Sequence, residues 1–436
     1  MTASTASQQE KLSLLRNKVY VRVYSAYTAA TFGDWFDTLA IQVLVGYRWH
    51  AGPLMLALIP IANALPGILL GSIAGVAADR LNKLKLMRIC DLLTAVLTLF
   101  ILLAPNMVWL FPLLITRAAI STLNVPAQQA LTRSIVREDQ LLQATSLNGI
   151  VNQGSKIGGP LLGGFALSLL SPQWCIVLNA CFRLSSYLLL WSVGKEVGSR
   201  AQEGEKLSKS TEKQRESLSA IWKEGWSFII RSRLLLSSML FGLIGALAIQ
   251  MIDFQFTSLF RELAPSQESL LGWMVAASGV GAISIILIMN KMNREVRHGW
   301  RFGSGYALIG ASIGGLGLLP QDTPVLLVLV LGFMLGIGNG MYMVTFNYCL
   351  QKETPPNMIG RVFGIQSTIL GVVMITAPLL GGLMVQAVGP AHTFLIFGIV
   401  IIVIGLVGIL LGTWLWPASK TRNGASASGQ VKELVE

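Results

Sequence analysis

The chain has 436 residues, of which 53% are hydrophobic and only 12% are Asp, Glu, Lys or Arg. A soluble domain carries about 25% charged residues, and the mean hydropathy here is +0.62, so a soluble enzyme, a disordered protein and a disulfide scaffold are excluded. Long uncharged runs recur from end to end and are too continuous for the alternating strands of an outer-membrane barrel. The composition therefore predicts an all-α integral membrane protein.

The net charge of +12 arises from short basic segments that lie between the apolar runs. These segments contain no nucleic-acid-binding module, so nucleic acid is not an expected partner. Enrichment of Lys and Arg on the cytoplasmic side of a membrane protein explains the excess. The four cysteines lack metal-ligand spacing and are predicted to be reduced, buried and structural, at Cys90, Cys175, Cys181 and Cys349.

Twelve segments are long and apolar enough for helices that cross the hydrocarbon core, which takes about 20 residues. Spans 1 to 12 lie at roughly 19–47, 53–77, 85–104, 107–130, 141–170, 173–194, 234–260, 267–290, 300–319, 324–350, 358–388 and 391–416. With both termini in the cytoplasm, 27 Lys and Arg residues fall in cytoplasmic segments and two, Arg48 and Arg261, fall in external loops. The positive-inside rule predicts this orientation.

The longest connection is charged and contains Gly and Ser, which predicts a flexible cytoplasmic linker. Its end, Leu218 to Ile230, is amphipathic and is expected to lie along the membrane surface. The predicted units are a cytoplasmic N-terminus at 1–18, a six-helix bundle at 19–194, the linker at 195–233, a second six-helix bundle at 234–416 and a cytoplasmic tail at 417–436.

An internal repeat indicates that the two halves are related. The string PLLGG occurs at 160–164 and again at 378–382, and at a similar offset Asp34 in span 1 corresponds to Asp253 in span 7. Parallel halves of six helices are typical of a secondary transporter whose site lies at the midplane between them.

The connection after span 2 reads GVAADRLNKLK and resembles a motif of the major facilitator superfamily. Gly75, Asp79, Arg80 and Lys83 match that motif, and Asn82 stands where a second glycine is usual. The resemblance covers nearly all of the chain and implies twelve transmembrane helices in two pseudo-symmetric bundles. It also implies that this loop latches the halves together, with the charges binding a helix N-terminus, carboxylates or lipid phosphates. The alternative is a solvated loop that only determines topology.

Two further motifs carry the resemblance. Arg117 in span 4 matches the superfamily's basic-residue motif, and span 5 resembles its antiporter signature, which implies export rather than import. In that signature a proline removes a backbone hydrogen bond and glycines permit close helix packing. Span 11 repeats the pattern, so helix bending alone is an alternative explanation. The residues are Gly159, Pro160, Gly163 and Gly164 in span 5 and Pro378, Gly381 and Gly382 in span 11.

Within the superfamily, the FGDWF string of span 1 and the NVPAQQALTRSIV run of span 4 are similar to the macrolide-efflux and enterobactin-exporter branch. That similarity implies proton-driven export of drugs or secondary metabolites from a bacterium, across its cytoplasmic membrane. The sequence has no phosphate-binding Gly-Lys-Ser/Thr loop, metal cluster or hydrolytic triad, so we expect no cofactor, no enzymatic activity and energy from an ion gradient.

Ionisable residues inside the spans cost about 2.5–3.5 kcal/mol each and should face a partner or water. Asp34 is the candidate for proton coupling, because a carboxylate in a low-dielectric cavity binds protons readily. The alternative is that Asp34 forms a structural ion pair with Arg117 or Lys156. Asp91, nearer the end of span 3, is expected to pair with Arg88. The charges near mid-depth are Asp34, Asp37, Arg117, Lys156, Arg183 and Asp253.

Polar side chains at steps of three or four form stripes along spans 1, 4, 5 and 7, which predicts an aqueous central cavity. Deep aromatic residues could contact an apolar substrate there, although ordinary helix packing is the alternative. The candidate lining residues are Tyr27, Thr31, Trp35, Thr38, Asn124, Asn148, Asn152, Gln250, Tyr342 and Phe346.

The sequence therefore favours a monomeric, proton-coupled exporter of amphipathic, drug-like or secondary-metabolite molecules that works by alternating access in contact with membrane lipid. A lipid or lysophospholipid flippase of the same fold is the second transport hypothesis. A membrane receptor that does not transport is a third.

Overall fold

The computed structural model describes residues 14–193, 218–291, 298–321, 323–355 and 358–416. This part of the chain is helical and contains no strand, which confirms the all-α prediction. Twelve of its helices have 19 residues or more, numbered α1 to α12: Lys18–Val43, Pro53–Arg80, Lys83–Ile101, Met107–Ile135, Leu141–Leu169, Pro172–Ser192, Arg233–Asp253, Ser269–Lys291, His298–Gly317, Val325–Glu353, Ile359–Val388 and Pro390–Leu410. Helices α1–α6 form one bundle, called here the N-bundle, and α7–α12 form the C-bundle.

Local sequence signals explain where several helices begin. Asn17, Asn82 and Asn106 each accept hydrogen bonds from backbone N–H groups of the first turns of α1, α3 and α4. Proline stands at the first position of α2, α6 and α12, where its missing N–H has no helical partner to lose. The link between α11 and α12 is Gly389, whose φ of +82° suits glycine.

Three predicted spans differ in detail from the observed helices. Span 7 is broken after Asp253 and continues as a short helix at Phe256–Leu263. Span 1 ends in a π-helical turn at Leu44–Arg48, and span 12 ends at Leu410 before a short helix at Gly412–Leu415. The predicted amphipathic segment is a helix at Leu218–Arg231, whereas the preceding 194–217 lie outside the described residues.

In the described ranges, eight helices are long and apolar enough to cross a membrane by length and composition. The other four long helices, α1, α3, α5 and α9, fall outside this group. Helices α1 and α3 carry aspartates that form ion pairs with arginines of α4 and α6 inside the N-bundle. Three cysteines are buried as predicted, but Cys181 is exposed on α6.

The repeated PLLGG glycines pack in equivalent ways in the two bundles. In α5, a Cβ on Gly159 or Gly163 would overlap Trp35 of α1, whereas Gly164 lies against α8 of the other bundle. In α11, a Cβ on Gly381 would overlap Met251 of α7, whereas Gly382 lies against α2 of the other bundle. In each half, therefore, one glycine serves packing within the bundle and the next serves contact between the bundles.

The bundles meet mainly through two helix pairs, α5 with α8 and α2 with α11. Contact is closest at one end of the molecule, called here the closed end. A Cβ on Gly272 would lie 2.7 Å from the carbonyl oxygen of Gly164, and one on Gly382 would lie 3.0 Å from that of Pro53. Only glycine permits so close an approach of the backbones.

The opposite end of the two helix pairs is open. Ile73 and Val76 of α2 are 64% and 52% exposed, and Leu142 and Ile150 of α5 are 80% and 63% exposed. At Gly71, Gly149 and Gly364, on α2, α5 and α11, a Cβ would meet nothing within 4 Å. The space between the bundles therefore opens toward the end that carries the α2–α3 connection.

Polar contacts also join the bundles at the closed end. The Arg261 guanidinium donates to the carbonyl oxygens of Gly46 and Ala51, at 3.0 Å each, and Gln255 donates to that of Pro53 at 3.0 Å. The π-helical turn at Leu44–Arg48 departs from the α-helical hydrogen-bonding pattern, and the carbonyl oxygen of its buried Gly46 accepts from Arg261. Arg261 thus ties the C-bundle to two backbone groups of the N-bundle.

Arg261→Ala should favour opening of the closed end. Hydrogen bonds from a charged donor contribute about 1.5–3 kcal/mol, so their loss should shift the conformational equilibrium roughly 10- to 100-fold. Spin labels at the exposed Gly52 and Ser266 would report the distance across this end. Arg48→Ala, at an exposed arginine of the same end, is the control. An unchanged distance distribution in Arg261→Ala would show that these bonds do not hold the end closed.

Candidate functional site

Charged side chains from four helices of the N-bundle form two neighbouring groups, called together the network. Asp37 of α1 pairs with Arg117 of α4, and Arg117 also donates to Thr98 of α3 at 3.4 Å. Asp37 is fully buried and the Arg117 side chain is 11% exposed. This pair is therefore an internal ion pair that links α1 to α4.

Arg183 of α6 is the centre of the second part of the network. Its Nη2 donates to both carboxylate oxygens of Asp34, at 2.6 and 2.7 Å, and its Nε donates to Oδ1 at 3.2 Å. Its Nη1 donates to Oδ1 of Asp91 on α3 at 3.1 Å. One guanidinium therefore bridges two carboxylates from different helices, a geometry for which the planar fork of arginine is suited.

Asp91 is the most completely hydrogen-bonded carboxylate of the network. It accepts from Asn124 of α4 at 2.8 Å and from Ser186 of α6 at 2.6 Å, in addition to Arg183. The predicted pairing with Arg88 is wrong, because Arg88 donates to the carbonyl oxygens at the end of α6. Asn124, predicted to line the cavity, therefore acts as a hydrogen-bond donor within the network.

The network contains three carboxylates and two guanidinium groups. Asp37 and Asp91 are 0% and 1% exposed, whereas the Asp34 side chain is 48% exposed. With all five groups ionised, one negative charge remains without a compensating cation in the network. Among the three carboxylates, Asp34 is the one whose side chain is substantially exposed.

The alternative hypothesis for Asp34, a structural ion pair with Arg117 or Lys156, is wrong about the partner. Asp34 pairs with Arg183 of α6, and Arg117 is occupied by Asp37. The two aspartates are one helical turn apart, but they face different neighbouring helices, α6 and α4. Sequence position alone could place both charges at mid-depth, but it could not determine which helix each one faces.

Lys156 of α5 and Asp253 of α7 lie apart from the network. Both are exposed, and neither makes an ion pair or hydrogen bond with another residue of the described segments. Asp253 is the last residue of α7, where the helix breaks. The pseudo-symmetric counterparts Asp34 and Asp253 thus differ, because only Asp34 has a charged partner.

Most of the other candidate lining residues are partly exposed or exposed: Tyr27, Thr31, Trp35, Thr38, Asn148, Asn152 and Gln250. Trp35 lies against Gly159 of α5. Two candidates are corrected by the structure. Tyr342 and Phe346 are 8% and 4% exposed. The Phe346 ring fills the space that Gly242 leaves on α7, and the Tyr342 hydroxyl donates to the Gly242 carbonyl at 2.7 Å. These two aromatics are packing residues of the C-bundle.

The candidate latch lies at the open end, where α2 ends and α3 begins. Arg80 is the last residue of α2 and is exposed, Lys83 begins α3 and is partly exposed, and the Asp79 side chain is outside the described set. Asn82, which replaces the usual glycine, caps α3 by accepting from the Lys85 N–H at 3.0 Å. The departure from the motif therefore has a local structural role.

Comparison with protein families gives a match over most of the chain. The sequence model of the Major Facilitator Superfamily matches residues 23–376, and again 266–435. The MFS-type transporter YfiS of Bacillus subtilis is 28% identical over 401 residues, covering 91% of this chain and 94% of that protein. The multidrug efflux pump Tap of Mycolicibacterium fortuitum is 24% identical, covering 91% and 96%. Macrolide efflux protein A of Streptococcus pyogenes is 24% identical, covering 81% and 86%.

Solved structures of transporters share the fold. A bacterial homologue of the human lysosomal transporter Spinster, in an inward-facing, unoccupied conformation, superposes with a TM-score of 0.65 at 14% identity, covering 91% of this chain and 96% of that chain. The nucleoside transporter NupG superposes with a TM-score of 0.63 at 12% identity, covering 90% and 98%. At these identities the likeness concerns the fold alone.

Proposed function

The chain belongs to the Major Facilitator Superfamily, and on this basis we propose that it is a proton-coupled exporter of amphipathic, drug-like or secondary-metabolite molecules. It is a multi-pass membrane protein. The proposed cycle is alternating access, in which the closed and open ends exchange roles around a site between the bundles.

The observation that supports proton coupling is the unequal charge of the N-bundle network. Three carboxylates face two guanidinium groups, and the exposed carboxylate, Asp34, shares Arg183 with the buried Asp91. Protonation of Asp34 would weaken its bond to Arg183 and leave that guanidinium to Asp91. A proton arriving at the cavity would thereby change the contacts between α1, α3 and α6, which gives coupling a physical route.

The distribution of basic residues supports an assignment of the side of the membrane that the open end faces. With both termini cytoplasmic, the α2–α3 connection is cytoplasmic, so the open end faces the cytoplasm and the closed end faces outward. We propose the cytoplasmic membrane of a bacterium as the location. In this orientation the described conformation would receive cargo from the cytoplasm, and Gly75, Asp79, Arg80 and Lys83 would act as the latch when that end closes.

The relatives support the direction of transport and the cargo class. Two of them are named as efflux proteins for macrolides and for multiple drugs, and the repeated Gly-Pro pattern of α5 is consistent with the same direction. The space between the bundles is lined by polar side chains and by apolar helix faces, which would suit amphipathic molecules.

A susceptibility panel tests the export of drugs. A strain that lacks the protein should become more sensitive to amphipathic antimicrobials, including macrolides, and overproduction should raise the inhibitory concentrations of the same compounds. Overproduced Asp34→Asn protein, at equal membrane abundance, is the control for effects of membrane load. Unchanged susceptibility to every compound, together with altered lysophospholipid movement between leaflets, would favour the flippase hypothesis instead.

A further inference from the structure

A small recess lies where the two bundles meet, on the open side of the close α5–α8 contact. Its lining includes Lys156 and Pro160 of α5, Ser278 and Gly279 of α8, and Asn339 and Met343 of α10. Both bundles therefore contribute to it. Its volume of about 30 Å³ holds about two water molecules, so the recess admits a small polar group.

The polar groups of this recess are unused within the protein. Lys156, Ser278 and Asn339 make no hydrogen bond or ion pair with any other residue for which the structure gives a placement. None of them belongs to the charge network of the N-bundle, where every carboxylate and guanidinium has a partner. The recess thus contains an ammonium, a hydroxyl and an amide that are available to form hydrogen bonds with a bound molecule.

The charge and hydrogen-bonding groups of the recess indicate the chemistry of the group that would bind there. Lys156 lies in the middle of α5 with an exposed side chain, and intramembrane cations of this kind face water or a partner of opposite charge. Protein carboxylates do not supply the counter-ion among the described residues. An ammonium, a hydroxyl and an amide N–H are all hydrogen-bond donors, and together they match an acceptor that carries negative charge.

We propose that this recess is a subsite for an anionic oxygen group of the transported molecule, a carboxylate, sulfonate or phosphate, with Lys156 as its counter-ion. The inference rests on the proposed function for the statement that the bound molecule is the cargo. Ser278 and Asn339 belong to the C-bundle and Lys156 to the N-bundle, so an occupant would bridge the two halves. Its binding is therefore sensitive to the separation of α5 from α8 and α10.

Two xanthene dyes of opposite charge test the subsite in purified protein. The anion fluorescein and the cation rhodamine 6G are titrated by fluorescence anisotropy into the wild type, Lys156→Met and Lys156→Arg, without any ion gradient. A hydrogen bond to a charged group contributes about 1.5–3 kcal/mol, so Lys156→Met should bind fluorescein roughly 10- to 100-fold more weakly. The same variant should bind rhodamine 6G more tightly, because a repelling charge is gone. Lys156→Arg should retain fluorescein binding.

Lys291→Met is the matched control, since it removes an exposed cation at the end of α8, away from the recess. It should leave the affinity for fluorescein at the wild-type value. The proposal is overturned if the wild type does not bind fluorescein, if Lys156→Met binds it as well as the wild type, or if both dyes lose affinity together. Because no gradient is applied, failure of proton coupling would not alter this result.

Nanodiscs distinguish the source of the anionic group. Fluorescein binding is compared in phosphatidylcholine discs with and without phosphatidylglycerol. Competition by phosphatidylglycerol in the wild type, but not in Lys156→Met, would assign the recess to a lipid phosphate. Binding that is independent of the lipid would assign it to the anionic group of a soluble cargo. Competition of equal size in both proteins would contradict a role for Lys156.

Discussion

Asp34→Asn is expected to abolish substrate accumulation driven by a pH gradient in proteoliposomes. Asparagine resembles the protonated carboxylate in shape and retains an oxygen that can accept from Arg183, but it cannot exchange a proton. The remaining network of Asp37, Asp91, Arg117 and Arg183 is electrically balanced. Substrate binding and passive exchange should therefore persist in part, whereas uphill transport should fall to the level of empty vesicles.

Asp139→Asn is the matched control for that experiment, because Asp139 is a largely exposed carboxylate that pairs with Arg137 on the surface. It should transport as the wild type does. If Asp34→Asn instead concentrates substrate with the pH dependence of the wild type, Asp34 is structural. Coupling must then be sought at Asp37 or Asp253.

The second large effect is on stability. Arg117→Met should leave Asp37 as a buried carboxylate without its ion partner, at a cost of about 3–5 kcal/mol. Thermal unfolding of the purified protein in detergent should show a marked decrease in the midpoint temperature. The double variant Arg117→Met with Asp37→Asn removes both charges and should recover most of the loss, since the buried charge no longer needs compensation.

The exposed pair of Arg137 and Asp139 is the comparison for this prediction. Both side chains are more than 60% exposed, and exposed pairs contribute about 0–1 kcal/mol, so Arg137→Met should change the midpoint little. A midpoint in Arg117→Met as high as that of Arg137→Met would show that Asp37 is neutral or otherwise compensated in the folded protein. A double variant no more stable than the single one would point to a packing role for Arg117.

The sequence was sufficient for the fold. Runs of about 20 apolar residues determine the helices, and proline at positions 53, 172 and 390 marks where three of them begin. The predicted span 7 runs through the break after Asp253, because an uncharged stretch continues to Phe260 and hides the change of backbone. The repeat of PLLGG predicted related halves, and the structure adds that each repeat packs one glycine within its bundle and one across.

For the candidate site, the sequence predicts which charged residues lie deep in the membrane, but not how they pair. Intramembrane charge is costly, so its positions are visible in the sequence, and Asp34, Asp37, Arg117 and Arg183 all belong to the observed network. Their pairing depends on the rotation and neighbours of each helix, which no single sequence reports. For the same reason the sequence does not show that Phe346 packs against Gly242 of α7 and does not line the cavity.

Proton movement that accompanies substrate movement is the most direct test of the central claim. Proteoliposomes that enclose a pH-sensitive dye are prepared at equal pH on both sides, and a concentration gradient of an exported compound is applied. The wild type should move protons against the direction of the substrate, and the pH change should disappear in Asp34→Asn while substrate exchange continues. Substrate flux through the wild type without any pH change would contradict the account, as would an unaltered pH change in Asp34→Asn.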